Sequence, residues 1–249
     1  MKVAVLLHRL CAEPGKPNGP EILGAFDRAA LAAGRALLAN TPGTELLAIA
    51  AGSAASEGPA LALALTLGAT DALHIDAPAL ETTDYLGITH AIAGALRGAG
   101  YDLVLAGDRA DDDPQAALGP AVAEALGLLH LGGVVSLRSD SPTSVIATRR
   151  ASASLATWRL ELPVLLCIAT APESTVAFAA QSTPVDARPL PSDIRTVSLA
   201  DLGLSLHELG RRAHLRGEVA PTPTHQPVVF MQSPGELAAW LRAQAEAGV

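Results

Sequence analysis

The densest group of side chains capable of chemistry is the carboxylate run Asp111, Asp112 and Asp113, preceded by Asp108 and Arg109 and followed by Pro114 and Gln115. It stands between an apolar stretch, Asp102 to Ala106, and a helix-forming stretch predicted over about Gln115 to Leu126. In an open α/β sheet, ligands bind beyond the carboxyl ends of strands, and unpaired amides at the start of the next helix attract phosphate. The loop from Gly107 to Leu118 is therefore a candidate nucleotide site, with Gly107 letting a ligand come close to the backbone. On that reading the backbone amides hold the phosphate and the side chains of Asp111 to Asp113 face away from it; the competing use is local, with Asp111 to Asp113 complementing the helix macrodipole and capping its amides. Chemistry alone leaves these two readings level. A divalent cation is the weakest use, because it needs oxygens converging on one point and consecutive residues point apart.

Other chemistry finds little support. Neither a P-loop nor a G-x-G-x-x-G turn follows the first strand. The histidines at 8, 74, 90, 130, 207, 214 and 225 form no pair at zinc-binding spacing. His8 ends the first strand, where a lone histidine is more often a surface group than a catalyst. The serines form no G-x-S-x-G elbow, and Cys11 has only Arg9 as a basic neighbour. The sequence does not read as a self-contained enzyme.

The elements that would position this loop follow from hydrophobic periodicity. Strands are predicted at Lys2–His8, Glu45–Ala51, Leu73–Asp76 and Asp102–Ala106, and helices at Leu23–Leu38, Pro59–Leu67, Thr83–Arg97 and Gln115–Leu126. Strands that are apolar on both faces need helices on both sides, so the fold class is α/β with a doubly wound, mostly parallel sheet. Val134–Arg138, Val145–Arg150 and Leu162–Thr170 read as strands, without intervening helices, that add hairpins to the sheet. Residues 171–195 show no sustained period, a length usually reserved for function or linkage. Leu199–Leu209 is weakly helical, prolines 221, 223 and 227 stiffen an arm leading to Val228–Met231, and Ser233-Pro234-Gly235-Glu236 carries a capping box that opens a C-terminal helix. The expected organisation is an α/β nucleotide-binding domain over 1–195 and a C-terminal arm and helix over 196–249.

Composition narrows the partners. The 249 residues are 49% hydrophobic and 17% charged, enough to build a large aliphatic core and too apolar for disorder. No window reaches the roughly 18 apolar residues of a membrane span, and the start lacks a signal peptide's apolar core and cleavage site. Seventeen basic against twenty-five acidic residues give a net charge of −8, which disfavours nucleic acid and anionic membranes. Two distant cysteines, Cys11 and Cys167, do not make a disulfide framework, so the reading is a reducing cytoplasm.

The stretch from Asp102 to Gly133 resembles the electron-transfer flavoprotein β subunit, whose corresponding segment reads roughly D-L-V-L-x-G-x-Q-A-x-D-x-D-x-G-Q-x-G-P. Asp102, Leu103, Val104, Leu105, Gly107, Ala110, Asp112, Gly119 and Pro120 match it. Further similarities keep the family order: Lys2-Val3-Ala4-Val5 with Arg9, Ala64 to Asp71 followed by His74, Leu162-Pro163-Val164-Leu165, and Ser198 to Leu204.

The resemblance implies an adenine-nucleotide-α-hydrolase-like domain that pairs with an FAD-carrying α subunit and carries electrons from flavin dehydrogenases to an acceptor. It implies AMP, or a second FAD, in this chain. Carried over by position, the nucleotide contacts are Leu6, Gly24, Ala25, Phe26, Asp27 and Ala51, with Gly107, Asp108, Arg109, Ala110, Asp111, Asp112, Asp113, Pro114, Gln115, Ala116, Ala117 and Leu118. Several positions depart from the family: Gly24-Ala25 replaces Asn-Pro, His8 a lysine, Ala117 the loop glutamine, and Pro114 an aspartate. The family's dehydrogenase-docking loop corresponds to about 171–193, here beginning Ala171-Pro172-Glu173-Ser174 and lacking lysines. Two other readings use the same fold without electron transfer: a stand-alone adenine-nucleotide-binding regulator of the stress type, and a nucleotide-dependent hydrolase or ligase, which lacks both a phosphate loop and a nucleophile.

Overall fold

The computed structural model describes residues 1–7, 23–82, 85–109, 117–152, 154–170, 194–205, 209 and 233–246. The chain forms two compact units, Met1–Ala213 and His214–Val249.

In the first unit the alternation runs β1 (Lys2–Leu6), α1 (Ala25–Asn40), β2 (Glu45–Gly52), α2 (Ala54–Thr66), β3 (Asp71–Asp76), a 3-10 turn (Pro78–Thr82), α3 (Tyr85–Leu96), β4 (Leu103–Gly107) and α4 (Leu118–Leu126). Then come β5 (Leu129–Ser141), β6 (Ser144–Ala151), β7 (Ser154–Glu161), β8 (Val164–Ile168) and β9 (Ile194–Ser198). They form one nine-stranded sheet in the order β7-β6-β5-β8-β4-β1-β2-β3-β9. The pairs β3·β9, β2·β3, β1·β2, β1·β4, β4·β8 and β5·β8 are parallel, and β5·β6 and β6·β7 are antiparallel. The chain winds from β1 toward β3 on one side, then resumes at β4 on the other side of β1, which places the topological switch between β1 and β4.

Two cores explain the winding. One face carries Val3, Val5, Leu46, Ala48, Leu103 and Leu105 beneath Ala30, Leu31 and Leu37 of α1 and Leu61 and Ala64 of α2. The other carries Ala4, Leu6, Leu47, Ile49, Val104 and Ala106 beneath Ala91, Ile92 and Leu96 of α3 and Val122 and Ala123 of α4. Each large aliphatic side chain buried here contributes about 1.5–3 kcal/mol, which is why strands with no polar face are stable only in this sandwich.

Several element boundaries differ from the sequence reading. Helix α2 begins at Ala54, not Pro59, because Ser53 caps it by accepting from the Ser56 amide at 3.2 Å, and Pro59 lies inside the helix. Helix α4 begins at Leu118, not Gln115: Pro120, which lacks an N–H, is tolerated only in a first turn and so delays the start. The strand read at Leu162–Thr170 is the internal parallel strand β8, not a hairpin strand. Two strands were not anticipated. Strand β7 pairs with β6 along its whole length, and β9 extends the sheet beyond β3, straddling residue 195. Leu199–Gly203 is a turn, with Asp201 accepting from the Ser198 amide at 2.8 Å and from its hydroxyl at 2.7 Å. Thr83, His8, Cys11 and the strand expected at Val228–Met231 lie outside the described residues, as does 171–193.

In the second unit, α5 (Pro234–Glu246) starts as its capping sequence predicts, the Glu236 amide donating to Ser233 Oγ at 3.3 Å.

Candidate functional site

The site is built where β1 and β4 end side by side. Leu6 closes β1 with its side chain 1% exposed, and Ala51 stands near the end of β2 at 8%, so both would meet a ligand through backbone rather than side chain. Gly24 is the N-cap of α1, Ala25 is exposed, Phe26 half-buried and Asp27 buried. A Cβ placed on Gly107, the last residue of β4, would lie 2.8 Å from Asp27 Oδ1, 3.0 Å from Phe26 Cβ and 3.0 Å from the Arg109 carbonyl oxygen. The structure thus brings together two segments, Gly24–Asp27 and Gly107–Arg109, that lie some eighty positions apart in the chain. Gly107 is small because the first turn of α1 closes over it.

Asp108 turns the chain out of β4. Its amide donates to the Ile168 carbonyl oxygen at 2.9 Å, and its Oδ1 accepts from the Gly133 amide at 2.7 Å. Gly133 belongs to a register shift between Leu131 and Val134 of β5, at a φ of 69° that glycine reaches without strain. The carboxylate therefore takes up the amide that the bulge turns toward β4. Arg109 is exposed. Ala110, Asp111, Asp112, Asp113, Pro114, Gln115 and Ala116 lie outside the described residues. Beyond them, Ala117 is the N-cap of α4 and Leu118 its first residue, with no side-chain cap and no acidic residue in the first turn. The acidic run ends four positions before the N-cap.

A second cluster lies beneath the loop. His130 is exposed, yet its Nε2 turns inward to Cys167 Sγ at 3.3 Å, and a Cβ on Gly119, in the first turn of α4, would collide with that sulfur. Burial holds the His130 pKa below its ordinary value and the Arg149 charge adds to this, while Asp108 opposes it. Burial, reinforced by Asp108, pushes the Cys167 thiol up to about 12. A protonated thiol facing a neutral imidazole satisfies both shifts. Such a thiol is a packing group and not a nucleophile. The sequence reading passed over His130, Cys167 and Gly133 as site neighbours; the one available signal was the Gly132-Gly133 pair opening a strand, a mark of a bulge.

Among the described residues no group of His, Cys, Asp and Glu could hold a metal ion, and no helix is long and apolar enough to cross a membrane.

A profile of the electron transfer flavoprotein domain matches residues 17–192. Over 124 residues the chain is 32% identical to a protein of Clostridium acetobutylicum named electron transfer flavoprotein subunit beta, a match that covers 50% of this chain and 47% of that protein. Over 154 residues it is 31% identical to Protein FixA of Azorhizobium caulinodans, covering 59% of this chain and 54% of the relative. The chain spans about half the length of the curated relatives it matches.

Proposed function

This chain belongs to the electron transfer flavoprotein domain family, and on that premise we propose that it is a β subunit, an electron carrier component without catalytic residues of its own. It pairs with an FAD-carrying α subunit and passes electrons from flavin dehydrogenases to a downstream acceptor, in the cytoplasm. The observation that carries the reading is the closure of Phe26 and Asp27 over Gly107 at the β1/β4 switch, since these are the segments the resemblance assigns to an adenine nucleotide. The residues fit that ligand: the carboxyl edge offers backbone from Leu6, Ala51 and Gly107, and Asp108, held on the Gly133 amide, is kept from opposing a phosphate freely.

A nucleotide bound here, AMP or a second FAD, would be held by Leu6, Gly24–Asp27, Ala51 and the loop from Gly107 to Leu118. The FAD of the partner supplies the redox chemistry. The contribution of this chain is to present a rigid edge, bind the adenylate end and dock the dehydrogenase through about 171–193. Replacing Val176–Gln181 by a Gly/Ser linker is expected to leave the flavin bound and to slow its reduction by the dehydrogenase; an unchanged rate would remove the docking role.

The direct test of the reading is to purify the chain together with its partner, denature the complex and identify the small molecules released. FAD is expected, together with AMP or a second FAD. A complex that releases an adenine nucleotide and no flavin would favour the stand-alone regulator.

A further inference from the structure

Among the described residues, the buried side-chain atoms without a hydrogen-bond partner include Thr41 Oγ1, His74 Nδ1 and Arg149 Nε. An unmatched buried polar atom in a native protein calls for an explanation, often an unseen ion or water. His74 is fully sealed, with its other nitrogen on the Gly52 carbonyl oxygen at 3.1 Å, so no ligand reaches it. Arg149 differs because it is a permanent cation, only partly buried, with no carboxylate of the described residues in ion-pair contact. Only its Nε is sealed without a partner, and a guanidinium is shaped for an oxyanion.

Its place in the sheet sets where that oxyanion would sit. Arg149 of β6 pairs with Val134 of β5, Val134 with Ile168 of β8, and Ile168 with Gly107 of β4. Val134 and Ile168 belong to the core on the α1 face. Arg149 therefore stands in the row that ends at Gly107, three strands or about 14 Å away at the usual strand spacing. Its charge is felt at His130, beside the loop that follows β4. Ala156 opposes it on β7, and the half-exposed Trp158 is its diagonal neighbour on the same face.

We infer that Arg149 binds a phosphate oxyanion at the carboxyl edge of the sheet. The phosphate is either that of the nucleotide proposed above, on which reading this source rests, or free inorganic phosphate, and both present the same chemistry to the guanidinium. The test titrates inorganic phosphate and, separately, AMP into the complex with its partner, freed of bound small molecules, by calorimetry on the wild type, Arg149→Gln and Arg149→Lys. Arg149→Gln is expected to weaken phosphate by about tenfold or more, and Arg149→Lys to restore part of it.

If AMP displaces phosphate and loses the same factor in Arg149→Gln, the phosphate is the nucleotide's. If AMP binds without displacing it, the site takes free phosphate. If phosphate binding depends on Arg149 but AMP does not bind at all, the oxyanion site stands and the nucleotide reading fails. Wild-type protein that takes up no phosphate, or takes it up as well as Arg149→Gln, overturns the inference and leaves the Nε to a water. Unchanged melting of Arg149→Gln separates lost binding from lost folding.

Discussion

The Gly133 amide donates to Asp108 Oδ1 at 2.7 Å, joining the residue that leaves β4 to the bulge of β5 across 25 positions of sequence. This single bond fixes where the loop toward α4 begins. Asp108→Ala should leave the Gly133 N–H without its partner and cost about 1–3 kcal/mol, whereas Asp108→Asn keeps an acceptor and should cost less. Chemical denaturation of the two variants checks the order; equal losses would mean that the bond does not anchor the loop.

Helix α4 rests on Cys167 through Gly119, with no room for a methyl group between them. Gly119→Ala is expected to destabilise by about 1–3 kcal/mol through overpacking. Adding Cys167→Ala should recover part of that loss, because the sulfur is the atom met first. A double mutant whose loss equals the sum of the two single losses would show that the sites are not coupled.

With its pKa raised to about 12, Cys167 is a thiol and not a thiolate near neutral pH, and it is 3% exposed. In a Cys11→Ser background, a thiol reagent should label the native protein slowly and the denatured protein fast. Rapid stoichiometric labelling of the native state would contradict the packing role.

The His130 shift sets a pH dependence with a definite sign. Its pKa is lowered from 6.5 in the folded chain, so below 6.5 the unfolded chain binds more protons and stability falls with pH until the folded value is passed. Wild-type protein should therefore lose more stability than His130→Gln as pH drops from neutrality through this window. A parallel loss in both would assign the acid sensitivity to other groups.

How much of this was legible in the sequence follows from where each feature is encoded. Strands β1 to β4 and β8 are buried almost throughout, so their apolar runs announce them. Strand β7 buries only Leu160, and β9 only Ile194; half-exposed strands carry no apolar run, and pairing with β6 and β3 makes them strands. The nucleotide-loop segments could be named from the strand-loop-helix order and the resemblance. Their meeting at Gly107 could not, because it depends on the reversal of strand order at β1. The pairs Asp108–Gly133 and His130–Cys167 are contacts between distant segments, and no local pattern encodes them. The acidic run Asp111–Asp113 lies outside the described residues, so its two readings stay as the sequence leaves them.

The central claim is that this chain works as one half of a flavoprotein. It is tested most directly by the composition of what the chain binds: co-expressed with its candidate flavoprotein partner and captured through a tag on this chain, the assembly is weighed by native mass spectrometry. The account predicts a heterodimer with one copy of each subunit, carrying FAD. A monodisperse monomer of this chain, with the flavoprotein left unbound, would contradict it.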